Sequence, residues 1–171
     1  KTHQNAPEAA QLLLSSYNLK HDFNALEEWS IKLAGTNLAT GDLQATITKI
    51  RDKAEFNRCF EHDVNNEYER AADCFMAYAD AYPSADLLDQ SLFNAAVNYN
   101  RAKLVEKSLV AHGELYNRCT TSPLAPKSLF AIGEVYRNLA VYSDASTFYE
   151  QFAENHKGHK LVERALRYAS V

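Results

Sequence analysis

Apolar side chains recur along this chain with the spacing of an α-helix, and the pattern is written more than once. Leu92, Ala95, Ala96 and Tyr99 fall at i, i+3, i+4 and i+7, one stripe of a helix. Leu129, Ile132, Gly133 and Tyr136 repeat that stripe 37 residues later, within the related strings SLFNAAVNY (91–99) and SLFAIGEVY (128–136). After a short break a second stripe follows: Tyr142, Ala145, Tyr149 and Phe152. Shifting by 37 also aligns Tyr68 with Val105 and Tyr142, Ala71 with Ser108 and Ala145, Phe75 with His112 and Tyr149, and Tyr78 with Leu115 and Phe152. Each copy therefore predicts two short amphipathic helices, an αα-hairpin. A lone hairpin cannot bury both of its stripes, whereas stacking on the next copy buries them and builds a solenoid.

The front of the chain is less regular. Ala10, Leu13, Leu14 and Tyr17 repeat the first stripe, and Phe23, Leu26, Ser30 and Leu33 the second. From Phe23 to Tyr68 is 45 residues, eight more than the period and about two helical turns. Leu43, Ile47, Ile50, Ala54 and Asn57 continue one stripe with no breaker from Asp42 onward, which predicts a single long helix over 42–63. The preceding GTNLATGD (35–42) is a candidate hinge. Nine helices are expected, at about 7–18, 22–34, 42–63, 67–82, 86–101, 104–118, 125–139, 142–155 and 160–170. As one domain over 1–171, these give a front hairpin (7–34), the long helix, and regular repeats from 67.

These residues resemble the tetratricopeptide repeat family. Its W-x2-L-G-x2-Y…A-x3-F…P pattern reads here as Leu129-x2-Ile132-Gly133-x2-Tyr136 and Ala145-x3-Tyr149, with a cleaner second half at Ala71-x3-Phe75 and Pro83 beyond. The small residues Ala96 and Gly133 mark where the two helices of a hairpin touch, and Tyr99, Tyr136, Ala71 and Ala145 are the other repeat-defining positions. The leading Trp is replaced by Leu, the closing Pro by Thr120 and Lys157, and the period exceeds the family's usual 34. The longer form is similar to repeats of bacterial cell-envelope proteins. The resemblance implies an all-α, right-handed superhelical α-solenoid, a periplasmic or envelope location with the cytoplasm as alternative, and a concave face lined by the first helix of each repeat. Phe93, Val97 and Asn100, then Phe130, Glu134 and Arg137, and earlier Phe56 and Phe60, would line that face. The alternative is that the phenylalanines only pack neighbouring first helices together. The family's clamp for chaperone tails needs Lys and Asn where Phe93 and Val97 stand, so this chain does not fit it.

Composition narrows the function classes. The chain is 46% hydrophobic and 23% charged, a globular balance, with 5 Gly, and its 4 Pro leave 8–82 free of that breaker. A net charge of −4 and the lack of a basic run argue against nucleic acid. No apolar run approaches the ~20 residues of a membrane span. The chain starts at Lys1 and has its only methionine at Met76, which reads as a piece of a longer parent.

Candidate chemistry is sparse. Five scattered glycines form no phosphate loop. His156 and His159 lie in HKGHK between lysines, without a neighbouring thiol or carboxylate, and read as a solvated turn rather than a metal site. His62 and Asp63, adjacent on a helix, point apart. His112 stands at an apolar repeat position and reads as a packed histidine. Three cysteines offer no zinc pattern. Cys59 holds the small slot of Ala96 and Gly133, which fits a buried thiol; it also lies level with Cys74 across the turn at 64–66, which fits a disulfide in an oxidising compartment. No catalytic residue, cofactor or metal is expected. The reading is a scaffold that holds a peptide or amphipathic helix of another protein in its groove. A purely structural segment of a longer solenoid is the alternative, and an enzyme a remote one.

Overall fold

A computed structural model describes residues 5–20 and 22–170, the side chain of Phe23 excepted, so that position of the front stripe lies outside the described residues. Among them every regular element is helical: α1 (Ala6–Leu19), α2 (Phe23–Ala34), α3 (Gly41–Val64), α4 (Tyr68–Ala81), α5 (Leu88–Arg101), α6 (Val105–Arg118), α7 (Ala125–Asn138), α8 (Tyr142–Asn155) and α9 (Val162–Ala169). The long helix expected over 42–63 is present as α3. α5 and α9 begin two residues later than the apolar pattern suggested. The carbonyls of Tyr82, Cys119 and His156 accept from the N–H groups of Ala85, Ser122 and His159, and those three residues accept in turn from Leu88, Ala125 and Val162. Two tight turns thus precede each first helix at the same repeat register.

The chain divides into two compact units, Lys1–Arg58 and Cys59–Val171. The division falls inside α3, and the loop at 35–42 lies within the first unit. There the core is Ala10, Leu14, Leu26, Leu33, Leu43 and Ile47, with Trp29 and Ile50 packed against it. Asp22 caps α2 by accepting the Ala25 N–H at 3.1 Å, and Pro7 opens α1 where a missing N–H costs nothing.

In the second unit α4 to α9 pack each on the next, as a helical-repeat solenoid requires. The 37-residue register is visible in the backbone. Asn66, Lys103 and Ala140 each take a left-handed conformation, with φ of 61°, 64° and 59°. In each turn a 6→1 hydrogen bond closes the helix end: Glu67 N–H to the His62 carbonyl at 2.9 Å, Leu104 to Tyr99 at 2.9 Å, and Val141 to Tyr136 at 3.0 Å. Helices touch closely at the small positions, since Ala71, Ala96 and Ala111 are wholly buried. Two buried serines are satisfied by neighbouring backbone: Ser91 Oγ donates to the Phe75 carbonyl (2.7 Å) and Ser108 Oγ to that of Ala96 (2.9 Å).

Of the two readings of Cys59, the structure has the disulfide. Cys59 of α3 is bonded to Cys74 of α4, with Cα atoms 5.4 Å apart. The bridge occupies the positions that Ala96 and Ala111 hold one repeat later, where only small side chains fit. Cys119 is a free thiol.

Candidate partner-binding groove

Three first helices of the second unit, α5, α7 and α9, present side chains to one groove of about 480 Å³. Phe93, Val97 and Asn100 line it from α5, as expected of the stripe that starts at Phe93. Phe130 and Glu134 line it from α7, joined by Lys127, Ala131, Val135 and Asn138. α9 contributes Arg164, its N-cap residue Leu161 lines the groove as well, and α6 contributes His112. Five of the eight expected groove residues are therefore brought together.

The phenylalanines are not equivalent. Phe93 is half-buried and meets His112 edge-on, centroid to centroid 5.9 Å. Phe130 is only 4% exposed and packs on Tyr149 (5.2 Å) and Phe152 (5.4 Å) of α8. It is therefore a core residue that also floors the groove, and its ring packs on the second helix of its own hairpin rather than on a neighbouring first helix. The remaining expected residues stand elsewhere. Phe60 lies edge-on to the buried Phe75 at 5.1 Å, within the α3–α4 hairpin. Phe56, 5% exposed, belongs to the first unit. Arg137 does not reach the groove rim: its guanidinium lies 4.6 Å over the Tyr168 ring, and its Nε is buried. An aromatic face within reach holds the cation more favourably than a bare rim would.

Arg164 takes the place expected of Arg137. It pairs with Glu134 at 2.7 Å and covers the Phe130 ring at 5.4 Å. Its guanidinium is held further toward the charged form by the hydrogen bond to the Tyr168 hydroxyl and then by Glu134. Arg101 pairs with Asp63 at 2.7 Å. Lys127 has no ion-pair partner among the described residues. Burial pulls His112 down to about 4, so it is neutral near pH 7, and its Nδ1 is hydrogen-bonded to Ser128 Oγ at 3.0 Å. The lining thus carries three permanent cations and one carboxylate on a chain whose net charge is −4.

The basic lining residues were missed by sequence reasoning because the stripe was counted only forward from each Phe. Lys127 stands one turn before Phe130, and Arg164 is 37 residues after Lys127. Extending the stripe one turn back, and onto α9, finds both.

Outside the groove, His62 and Asp63 do point apart: His62 Nδ1 meets Glu67 at 2.7 Å, while Asp63 meets Arg101. The turn with His156 and His159 is less solvated than expected. Both rings rest against Phe152, at 5.4 and 5.3 Å, and His159 Nδ1 accepts the Leu161 N–H. Among the described residues no three His, Cys, Asp or Glu side chains stand together as metal ligands would, and no helix is long and apolar enough to cross a membrane. No protein-family model and no curated protein matches the chain.

Proposed function

We propose that this protein is a non-catalytic interaction scaffold, related to the tetratricopeptide repeat proteins, that holds a segment of a partner protein in the α5–α7–α9 groove. The observation that carries the reading is the groove lining: apolar surface from Phe93 and Val97 beside Arg101, Lys127 and Arg164, with a single carboxylate at Glu134. The matching segment combines apolar anchors with carboxylates, as a peptide or an amphipathic helix. Arginine and aromatic residues central to such a patch, desolvated when the partner docks, are the types that dominate binding energy. The Cys59–Cys74 bridge supports an oxidising compartment, and the bacterial cell envelope fits both that and the repeat resemblance.

The burial of Phe130 favours a second reading, in which these rings serve the solenoid alone. The two are separated by choosing variants according to burial. Phe93→Ala and Lys127→Glu act on half-buried and exposed side chains, whereas Phe130→Ala opens the core and costs about 3–5 kcal/mol. Affinity capture with the wild-type chain, compared with the Phe93→Ala, Lys127→Glu double variant and with a Val110→Ala control on an exposed face, is the test. On the scaffold reading the double variant loses a defined partner while keeping its helicity, and the control retains it. Equal capture by all three chains would place the working surface elsewhere.

A further inference from the structure

The first unit contains a separate open cleft of about 250 Å³ between α1, α2 and α3. Its apolar lining comes from Leu14, Leu26, Ile50 and Ala54; neutral polar side chains of α1 and α3 complete it together with Lys49 and Lys53, which are one helical turn apart. Both lysines are exposed. No acidic residue lines the cleft, and among the described residues neither ammonium has an ion-pair partner. We propose that this cleft binds the anion of a free medium-chain fatty acid, with the alkyl chain on Ile50 and Ala54 over the buried Leu14 and Leu26, and the carboxylate between Lys49 and Lys53.

Size and charge select this occupant. The cavity falls below the range usual for drug-sized ligands, and at ~30 Å³ for a group the size of a water or a methylene it admits about eight. A single alkyl chain fits this volume. Two like charges beside apolar surface, with no carboxylate in the cleft lining, attract an anionic headgroup. A neutral alcohol would gain the apolar contact alone, and an alkylammonium would be repelled. The site is distinct from the groove of the second unit and stands or falls without it.

The test titrates the full chain with sodium hexanoate, octanoate, decanoate and dodecanoate below their micelle concentrations. Trp29, the only tryptophan, packs against the same core and serves as a fluorescent reporter, and calorimetry gives stoichiometry. One-to-one binding is expected, tightening by up to about fourfold per methylene and levelling off near eight to ten carbons, where the cleft is full. The double variant Lys49→Gln, Lys53→Gln should bind decanoate roughly twofold to thirtyfold more weakly while leaving decanol binding unchanged. Ala54→Phe, which fills the cleft, should abolish both. Because the lysines are exposed, the Gln variant keeps the site testable even if Ala54→Phe fails to fold. Equal affinity for decanoate and decyltrimethylammonium, affinity that rises from decanoate to dodecanoate as steeply as before, or no saturable binding would overturn the proposal. So would co-sedimentation with anionic phospholipid vesicles in place of decanoate binding, since that would indicate a membrane surface.

Discussion

The missing side chain of Gly133 is matched by the ring of Tyr149. A Cβ built on Gly133 would stand 2.9 Å from Tyr149 Cε1 and 3.0 Å from Cδ1, and Tyr149 is wholly buried, so the ring can yield only by displacing its neighbours. Gly133→Ala would gain about 1 kcal/mol of helix propensity and lose more to overpacking. The expected net effect is destabilisation of about 1 kcal/mol for Ala, and of roughly 1–3 kcal/mol or more for Leu. Urea unfolding followed by far-UV circular dichroism measures this. A midpoint that rises in Gly133→Ala would show that α8 can move away from α7 at little cost.

The bridge between Cys59 and Cys74 closes a loop with a sequence separation of 15. Chain-entropy reasoning assigns a loop of that size about 3 kcal/mol. Intact, unreduced protein unfolded in an alkylating reagent should take up one label, on Cys119. After reduction it should take up three. The Cys59→Ser, Cys74→Ser variant should be less stable by about 2–4 kcal/mol. In the native state Cys119 should react slowly with the same reagent, because burial and then the nearby Asp89 push its thiol up from the usual range. Three labels on unreduced protein would return Cys59 to the role of a packed thiol.

The helical register was legible because two constraints repeat together. A stripe of period 3.6 defines each helix, and a 37-residue interval repeats the stripe, so boundaries such as Val105–Arg118 and Tyr142–Asn155 follow from alignment as much as from local propensity. Part of the groove was legible for the same reason: Phe93, Val97, Asn100, Phe130 and Glu134 are repeat-related positions on first helices. What the pattern could not supply was the direction of long side chains. Arg137 sits at the expected angle on α7, yet a seven-atom side chain can reach either the groove or the Tyr168 ring, and the ring holds it. Phe130 likewise shares the periodicity of Phe93. The second helix decides its burial by offering Tyr149 and Phe152 where α6 offers His112 and Leu115. The disulfide stayed open because small thiols and small disulfides satisfy the same close-contact slot.

His112 should make the protein acid-sensitive in a defined window. It is 4% exposed, and burial holds it at about 4 against 6.5 for an ordinary histidine. The unfolded chain therefore binds more protons between those values, and stability rises with pH across that interval. The contribution is complete above pH 6.5 and is lost as pH falls toward 4, with a ceiling of about 3 kcal/mol from a displacement of this size. His112→Phe places at this position the residue that Phe75 supplies one repeat earlier. It should flatten the dependence of the urea midpoint on pH from 6.5 to 4, leaving the shallower slope of the carboxylates, of which Glu67 is held low first by its hydrogen bond to His62. An unchanged slope in the variant would mean that His112 is accessible enough to take up its proton without opening the core.

The three hairpin turns make the last prediction, because they ask the same backbone geometry of three different residues. At φ near 60° an L-residue brings its Cβ against the backbone, at a cost of about 1–2 kcal/mol that asparagine partly escapes by local hydrogen bonding. Asn66 at 61° is thus the best suited of the three, and Lys103 at 64° and Ala140 at 59° carry the strain. Ala140 is exposed, so replacing it removes no packing. Ala140→Gly relieves the steric conflict but adds freedom to the unfolded chain, which offsets up to about 1 kcal/mol. The expected net result is stabilisation of about 0.5–1 kcal/mol. Asn66→Gly should be close to neutral. Thermal and urea unfolding of the two single variants, measured side by side, provide the check. If Ala140→Gly is destabilising while Asn66→Gly is neutral, the α7–α8 turn does not hold the left-handed geometry in solution, and the 6→1 bond from the Val141 N–H to the Tyr136 carbonyl must be replaced by another closure.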